Sequence, residues 1–307
     1  MSKLISILKA IFAYRLFIGA SALCLILLTL TVATLFSIPQ EGTVYLESEP
    51  SFNALAFSSV EIDASSAIVY DATERKVIFE LDAQSTHPLA SLTKLYTVYA
   101  GSLVFGNESV ITTTAGLAPT SFLLNEVPAG SRFSFEEFAN LILFTSNNSA
   151  ADMLGERTAN YIARESLFKK VEEKTGLTAT FIKNSSGLDI NSTDAGAYGT
   201  AKDVALLASA LLESFPEAII TTKTATTFAD TNGRQYSAVN TNQQVEKYPQ
   251  LLFSKTGYTD LAGGNLCVVL TMNGRTIVIV VLGSTKEGRF ADVDTLITSV
   301  TNYFSPL

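Results

Sequence analysis

The chain has one histidine, His87, two cysteines, Cys24 and Cys267, and no tryptophan among its 307 residues. A protein zinc site draws three or four ligands, mostly from His and Cys, and these residues cannot supply one. No metal or other cofactor is expected. Cys24 lies in a long apolar run and Cys267 in a strand-like one, so the two are not expected to form a disulfide. A serine triad needs a histidine base that a third group orients, and His87, read as a solvated loop residue, is a poor candidate. A nucleophilic serine in this chain therefore needs another base, and lysine is the obvious one. Basic charge is also scarce. Lys and Arg number 21 against 29 Asp and Glu, and Lys3, Lys9 and Arg15 all precede the first acid, Glu41. Beyond residue 40 the balance is 18 against 29, a net charge of −11. Phosphate neutralisation needs a basic surface, so nucleic acid is excluded as a partner.

What the sequence does have begins with "LFIGASALCLILLTLTVATLFSI", residues 16–38, 23 positions without a charge. At ~1.5 Å per residue this helix exceeds a ~30 Å hydrocarbon core and can span it with some tilt. The flanking cations put residues 1–15 in the cytoplasm by the positive-inside rule, with the rest outside. The expectation is a single-pass protein of the cell membrane, with anchor 16–38, tether 39–61 and folded domain 62–307. A cleaved signal peptide is the alternative, but its apolar region is shorter, roughly 7 to 15 residues, and no A-x-A site follows here.

Within the domain, "SAIVYDA" and "KVIFELD" read as strands joined by a polar turn, and a helix is expected from Ser91. Ser134 with Glu137 forms a capping box before "FANLILFT", and Thr200 with Asp203 a weaker version before "VALLASALL". "NLCVVLTM" and "RTIVIVVLG" flank Asn273-Gly274, a strong hairpin signal, and an amphipathic helix closes the chain. Strands at both ends with helices between them predict an α/β (α+β) domain. Its terminal strands would share one antiparallel sheet beside a helical subdomain.

Ser-x-x-Lys sets a hydroxyl and an amine one helical turn apart. It occurs at Ser6/Lys9, at Ser91/Lys94 and at Ser166/Lys169. The first lies beside the anchor and the third in the charged "RESLFKKVEEK". Only Ser91/Lys94 lies at a helix start in apolar surroundings, where burial can lower the lysine pKa. Lys-Thr-Gly occurs twice. At 174–176 it ends a charged helical stretch, and Gly176 suits a helix C-cap. At 255–257 it follows a strand. Gly257 there permits close approach to a sheet edge, while Lys255 and Thr256 can hold a carboxylate. Ser146-x-Asn148 lies between two helices and says little alone.

Taken in order, Ser91-x-x-Lys94, Ser146-x-Asn148 and Lys255-Thr256-Gly257 form a set known from penicillin-binding proteins and class A β-lactamases. With "SAIVYDATERKVIFELDAQSTHPLASLTKLYTVY", "NSSGLD…YGTAKDVALLASALL" and "KTGYTDLAGGNLCVV", the chain resembles the D-alanyl-D-alanine carboxypeptidases over about residues 62–305. The resemblance implies that Ser91 attacks the D-Ala–D-Ala carbonyl of a peptidoglycan stem peptide and forms an acyl-enzyme. Lys94 would take its proton, kept neutral partly by Lys255. Backbone N–H groups of Ser91 and Tyr258 would form the oxyanion hole, worth about 3 kcal/mol per donor. Ser146 and Asn148 would relay protons and orient substrate. Lys255 and Thr256, helped by Arg289, would bind the terminal carboxylate, and β-lactams would acylate the same serine.

Departures from the family pattern are Asn147, where carboxypeptidases often have Gly, and the expected lack of a C-terminal β-domain and amphipathic helix. No Glu-x-x-Leu-Asn follows Ser146-x-Asn148, so efficient β-lactam hydrolysis is not expected. Alternatives to a carboxypeptidase are an endopeptidase of the same family, cutting cross-links, or a non-catalytic protein that binds wall or β-lactam.

Overall fold

Ser66–Asp71 (β1) and Lys76–Leu81 (β2) form the expected N-terminal hairpin in the structure, a computed structural model describing residues 52–215, 222–305 and Arg15. The expected anchor lies outside the described residues. Among those described, no helix is long and apolar enough to cross a membrane. His87–Pro88 (β3) leads through a 3-10 turn, Ala90–Leu92, into helix Thr93–Ser102 (α1). The helical part continues with Val110–Thr112 (β4), Arg132–Ser134 (β5), Phe135–Thr145 (α2), Asn148–Ala159 (α3) and Arg164–Thr175 (α4). Phe181–Ile182 (β6), Ala197–Gly199 (β7) and Ala201–Ser214 (α5) complete it. After the pair Ala225–Ala229 (β8) and Gln235–Val239 (β9) come Leu251–Thr259 (β10), Gly263–Met272 (β11) and Arg275–Ser284 (β12). Gly288–Phe304 (α6) ends the described chain.

The five long strands make one antiparallel sheet in the order β10-β11-β12-β1-β2, so first and last strands share a sheet as expected. Asn273 and Gly274 have φ of 50° and 72°, the left-handed pair that a tight two-residue hairpin uses. Strand periodicity explains why β12 is apolar throughout. Val278, Val280 and Leu282 enter the core shared with the helical part, while Ile277, Ile279 and Val281 pack with Val293, Leu296 and Val300 of α6. With both faces covered, each such side chain contributes about 1.5–3 kcal/mol.

Four expectations are corrected. The helix at Ser91 begins as the 3-10 turn and becomes α-helical at Thr93. His87 is not in a loop: it pairs with Gly199 of β7, is half-buried, and burial lowers its pKa. The capping box is half made. Ser134 Oγ accepts from Glu137 N–H, but the Glu137 carboxylate accepts from Ala229 N–H, capping a strand instead of its own helix start. The end of the expected tether belongs to the folded body. Phe52 stacks on Tyr303 at 4.9 Å, Asn53 N–H donates to Tyr303 O, and Phe57 stacks on Phe79 at 5.1 Å. Aromatic side chains at 52 and 57 found partners on α6 and β2, which a reading by periodicity does not detect. Phe57→Ala is expected to destabilise the chain by about 2 kcal/mol, measured as a lowered urea midpoint with unchanged slope.

Candidate active site

Ser91 sits in the 3-10 turn just before α1, half-buried, one residue after Ala90 at φ 47°. A left-handed alanine is a strained conformation that needs support. Thr93 Oγ1 supplies part of it by donating to Ala90 O at 2.6 Å. Gly187 supplies the rest by lying flat against the turn. Its φ is 79°, and a Cβ there would stand 1.9 Å from Ala90 O. Asn184 holds that segment, accepting from Gly187 N–H at 2.7 Å and donating to Leu188 O at 2.9 Å.

Lys94 is fully buried, and its amine is the centre of the site. Nζ lies 2.9 Å from Ser91 Oγ, 2.7 Å from Asn148 Oδ1 and 2.7 Å from Ser186 O. A neutral amine has two N–H donors and one lone pair. Asn148 Oδ1 and Ser186 O can only accept, so they take both donors, and the lone pair is left for the Ser91 hydroxyl. This arrangement suits a general base. Burial brings the Lys94 pKa down to about 7, and Asp152 opposes the fall. Repulsion between the Lys94 and Lys255 amines is mutual, so each disfavours charge on the other. Lys255 is itself pushed well below its ordinary value by burial first, then by Lys94 and Arg289.

Ser146 and Asn148 reach the site because two helices meet there. Ser146 ends α2 in the left-handed region at φ 54° and accepts from Lys255 Nζ at 2.9 Å. Asn147 caps α3, its Oδ1 accepting from Ala150 N–H at 2.9 Å, which gives a structural reason for a residue other than glycine. Asn148 then opens α3 and faces Lys94.

Lys255, Thr256, Gly257 and Tyr258 lie on β10, an edge of the sheet. Lys255 Nζ also donates to Thr256 O at 2.7 Å, and Thr256 Oγ1 pairs with Thr241 Oγ1 at 2.9 Å. A Cβ on Gly257 would come within 3.1 Å of Leu89 O and 3.3 Å of Leu92 N, so the glycine lets the edge strand press on the turn carrying Ser91. Tyr258 pairs with Gly264 in the ladder, and its side chain is exposed at the mouth of the site. Arg289, in the first turn of α6, is buried and donates to Gly257 O at 2.6 Å. It braces the edge strand through that carbonyl, a contact different from the carboxylate contact expected of it. The second Lys-Thr-Gly is punctuation as read: Gly176 has φ 78° and its N–H caps Glu172 O.

Sequence reasoning missed Ser186, Asp152, Asn265 and Asp189. Asn265 donates to Pro88 O at 2.9 Å and accepts from Gly283 N–H at 2.9 Å, tying the strand before Ser91 to β12. Asp189 accepts from Thr259 Oγ1 at 2.9 Å, fastening the 184–191 segment to the end of β10. For Ser186 and Asp189 the available signal was the run "NSSGLD", residues 184–189.

A serine whose nearest base is a buried lysine, set between a helical layer and the edge of an antiparallel sheet, is the arrangement of a mixed α/β serine hydrolase. The comparisons make this specific. The model of the D-alanyl-D-alanine carboxypeptidase family, peptidase family S11, matches residues 53–286, and the chain belongs to that family. It is 28% identical over 229 residues to the D-alanyl-D-alanine carboxypeptidase DacB2 of Mycobacterium tuberculosis, covering 73% of this chain and 77% of that one. It is 27% identical to a D-alanyl-D-alanine endopeptidase of Pseudomonas aeruginosa, covering 87% and 86%. The chain spans 61% of the length of two other curated carboxypeptidases it matches. Among solved structures, penicillin-binding protein D2 from Listeria monocytogenes in its cefotaxime-bound form superposes with TM-score 0.61 at 25% identity. That match covers 78% of this chain and 97% of the other.

Three outcomes are expected. The rate of acylation by a fluorescent penicillin should fall about tenfold per pH unit below an inflection near 7 and level off above it, because protonated Lys94 cannot accept. Asp152→Asn, removing the charge that opposes the fall, should move that inflection to lower pH. Gly187→Ala should lower the acylation rate about 100-fold by displacing the turn, with circular dichroism unchanged.

Proposed function

We propose that this chain is a serine-type D-Ala-D-Ala carboxypeptidase that removes the terminal D-alanine from peptidoglycan stem peptides. The observation that carries the reading is the buried Lys94 amine 2.9 Å from Ser91 Oγ, with the two acceptors Asn148 Oδ1 and Ser186 O each 2.7 Å away. The peptide end lies extended along the β10 edge, its terminal carboxylate against Lys255 and Thr256. Ser91 Oγ bonds to the penultimate carbonyl carbon as its proton passes to Lys94. Charge develops on the carbonyl oxygen and is met by the N–H groups of Ser91 and Tyr258. Collapse breaks the peptide bond. The departing nitrogen takes the proton that Lys94 received, passed by way of Ser146, so Lys94 is neutral again as D-alanine leaves. Water then attacks the ester and gives a proton to Lys94, which returns it to Ser91 Oγ as the ester bond breaks and the shortened peptide is released.

β-Lactams acylate Ser91 in the same geometry; the cefotaxime-bound relative supports this. The endopeptidase-named relatives favour cross-link cleavage as the second reading. Residues 16–38 anchor the chain in the cell membrane with the catalytic domain outside. Support for this comes from the charge-free run and its preceding cations.

Incubating the full-length chain with a pentapeptide and, separately, with a cross-linked dimer is the deciding test. Free D-alanine from the pentapeptide, lost in Ser91→Ala together with covalent penicillin labelling, is the expected result. Dimer cleavage without release from the pentapeptide would transfer the assignment to the endopeptidase reading.

A further inference from the structure

Two buried threonines in the helical part return their hydroxyl to the preceding turn. Thr145 Oγ1 donates to Leu141 O and Thr158 Oγ1 to Leu154 O, each at 2.7 Å. Thr97 of α1 does otherwise. Its side chain is buried, and the carbonyl one turn back, Thr93 O, lies 3.4 Å from Oγ1. Ser185 O, 88 positions along the chain, lies 2.7 Å away. A hydroxyl has one proton, and the shorter contact takes it. Thr97 thus spends its only donor on the backbone of another segment.

The carbonyl it holds is next to one that the base uses. Ser186 O accepts from Lys94 Nζ at 2.7 Å. Lys94 and Thr97 are three residues apart and share a face of α1. From that face they hold two successive carbonyls of a stretch that bends at 183–186. Asn184 Oδ1 closes the bend by accepting from Gly187 N–H at 2.7 Å. On the far side the bend meets α3. A Cβ on Gly155 would stand 1.8 Å from Ser185 Oγ and 2.7 Å from its Cβ, so Ser185 rests directly on the α3 backbone. The bend is therefore wedged between two helices, and the Thr97 bond holds it to α1 without drawing on the Lys94 amine.

We propose that Thr97 is a positioning residue for the general base. Its hydroxyl fixes the Ser185–Ser186 bend so that Ser186 O takes one N–H of Lys94 and the lone pair stays on Ser91 Oγ. The role rests on the acyl-enzyme reading of Ser91. Without the bond the carbonyl shifts and the amine turns with it, which slows proton transfer from Ser91. The substrate contacts proposed for Lys255 and Thr256 lie on β10 and are left as they are. Acylation is therefore slowed while binding is not. A misplacement of about 1 Å costs up to about 100-fold in rate. Loosening one of the three contacts of the amine is expected to cost about tenfold.

The test follows fluorescent penicillin labelling of the full-length chain over a range of concentrations. It is run well above the Lys94 value of about 7, where the base is neutral and its aim alone is read. The final amplitude counts folded sites, the limiting rate reports acylation, and the half-saturating concentration reports binding. Thr97→Val, similar in shape but lacking the hydroxyl, should lower the limiting rate about tenfold, with half-saturation within about twofold of wild type. Thr97→Ser restores the donor and should return most of the rate. Where Thr97→Val gives no folded chain, Thr97→Cys, of similar size and with a weak donor, is read in its place and should fall between Thr97→Ser and the tenfold loss. An undiminished rate in the variant without the hydroxyl overturns the assignment. So does a Thr97→Ser chain as slow as Thr97→Val, or half-saturation that rises in step with the loss of rate. A wild-type chain that takes no label overturns the acyl-enzyme reading and this role with it, whereas a labelled wild type with an unaffected variant overturns the role alone.

Discussion

Everything in this molecule depends on keeping one buried lysine uncharged and correctly aimed. An ammonium group with no solvent and no carboxylate contact is expensive to bury, so the fold favours the amine. The amine's small hydrogen-bonding inventory then does the aiming. Its three partners come from three separate places: the turn of Ser91, the first residue of α3, and the carbonyl of Ser186. None of the three is near another in sequence, so the base is assembled only when the helical part has folded. Lys255 repeats the logic on the sheet side. It too is driven toward the neutral form, and the adjacent Lys94 and Arg289 add to the effect of burial. Two cations so placed cannot both be held cheaply. In the proposed reaction a substrate carboxylate at β10 shifts that balance in favour of a charged Lys255, which links binding to proton position.

The second constraint is distance. Three chain segments crowd the turn that carries Ser91: β3 before it, the 184–188 segment beside it, and β10 across from it. Glycine at 187 and at 257 permits the last two approaches, since a Cβ at either position would meet backbone atoms of residues 89–92. The sheet then needs its edge held at that spacing, and α6 does this through Arg289 and the Gly257 carbonyl. Arg289 thereby fixes the strand that carries Lys255, Thr256 and Gly257.

Residue types that act through side chains at fixed spacing were readable from the sequence. Ser91 with Lys94, the ordered triplets at 146 and 255, and the Asn273-Gly274 hairpin all have a local physical cause, and the fold has them as expected. Contacts made by backbone were not readable. Ser186 serves through its carbonyl, which every residue possesses, and Gly187 is needed because of the shape of a neighbour 97 positions earlier. Glu137 shows a related failure. Its type announces a helix cap, but the atom it meets belongs to β8, whose proximity only tertiary folding decides. Arg289 was read as a carboxylate clamp, and the contact the fold shows for it is the Gly257 carbonyl of β10. The aromatic residues at 52 and 57 were lost for the opposite reason, since two side chains in an aperiodic stretch give no pattern.

Helix α1 joins these observations. Residues 93–101 are all buried, so the helix has no solvent face on which a change in packing can be dissipated. It contacts α2, α3, α4 and α5, and it carries the base on one side and Tyr96 with Ala100 on another. In a close-packed interior a shift at one surface of such a helix is met by its neighbours at the other. A cavity lined by Tyr96, Thr97 and Ala100 leaves that packing incomplete on one side of α1. It lies against the segment whose carbonyl positions Lys94. Ser186 meets Lys94 through a backbone carbonyl on an irregular segment, while Ser91 and Asn148 are fixed by a helix start and a helix cap. The aim of Lys94 therefore depends on how α1 and that segment pack as much as on the residues the amine touches.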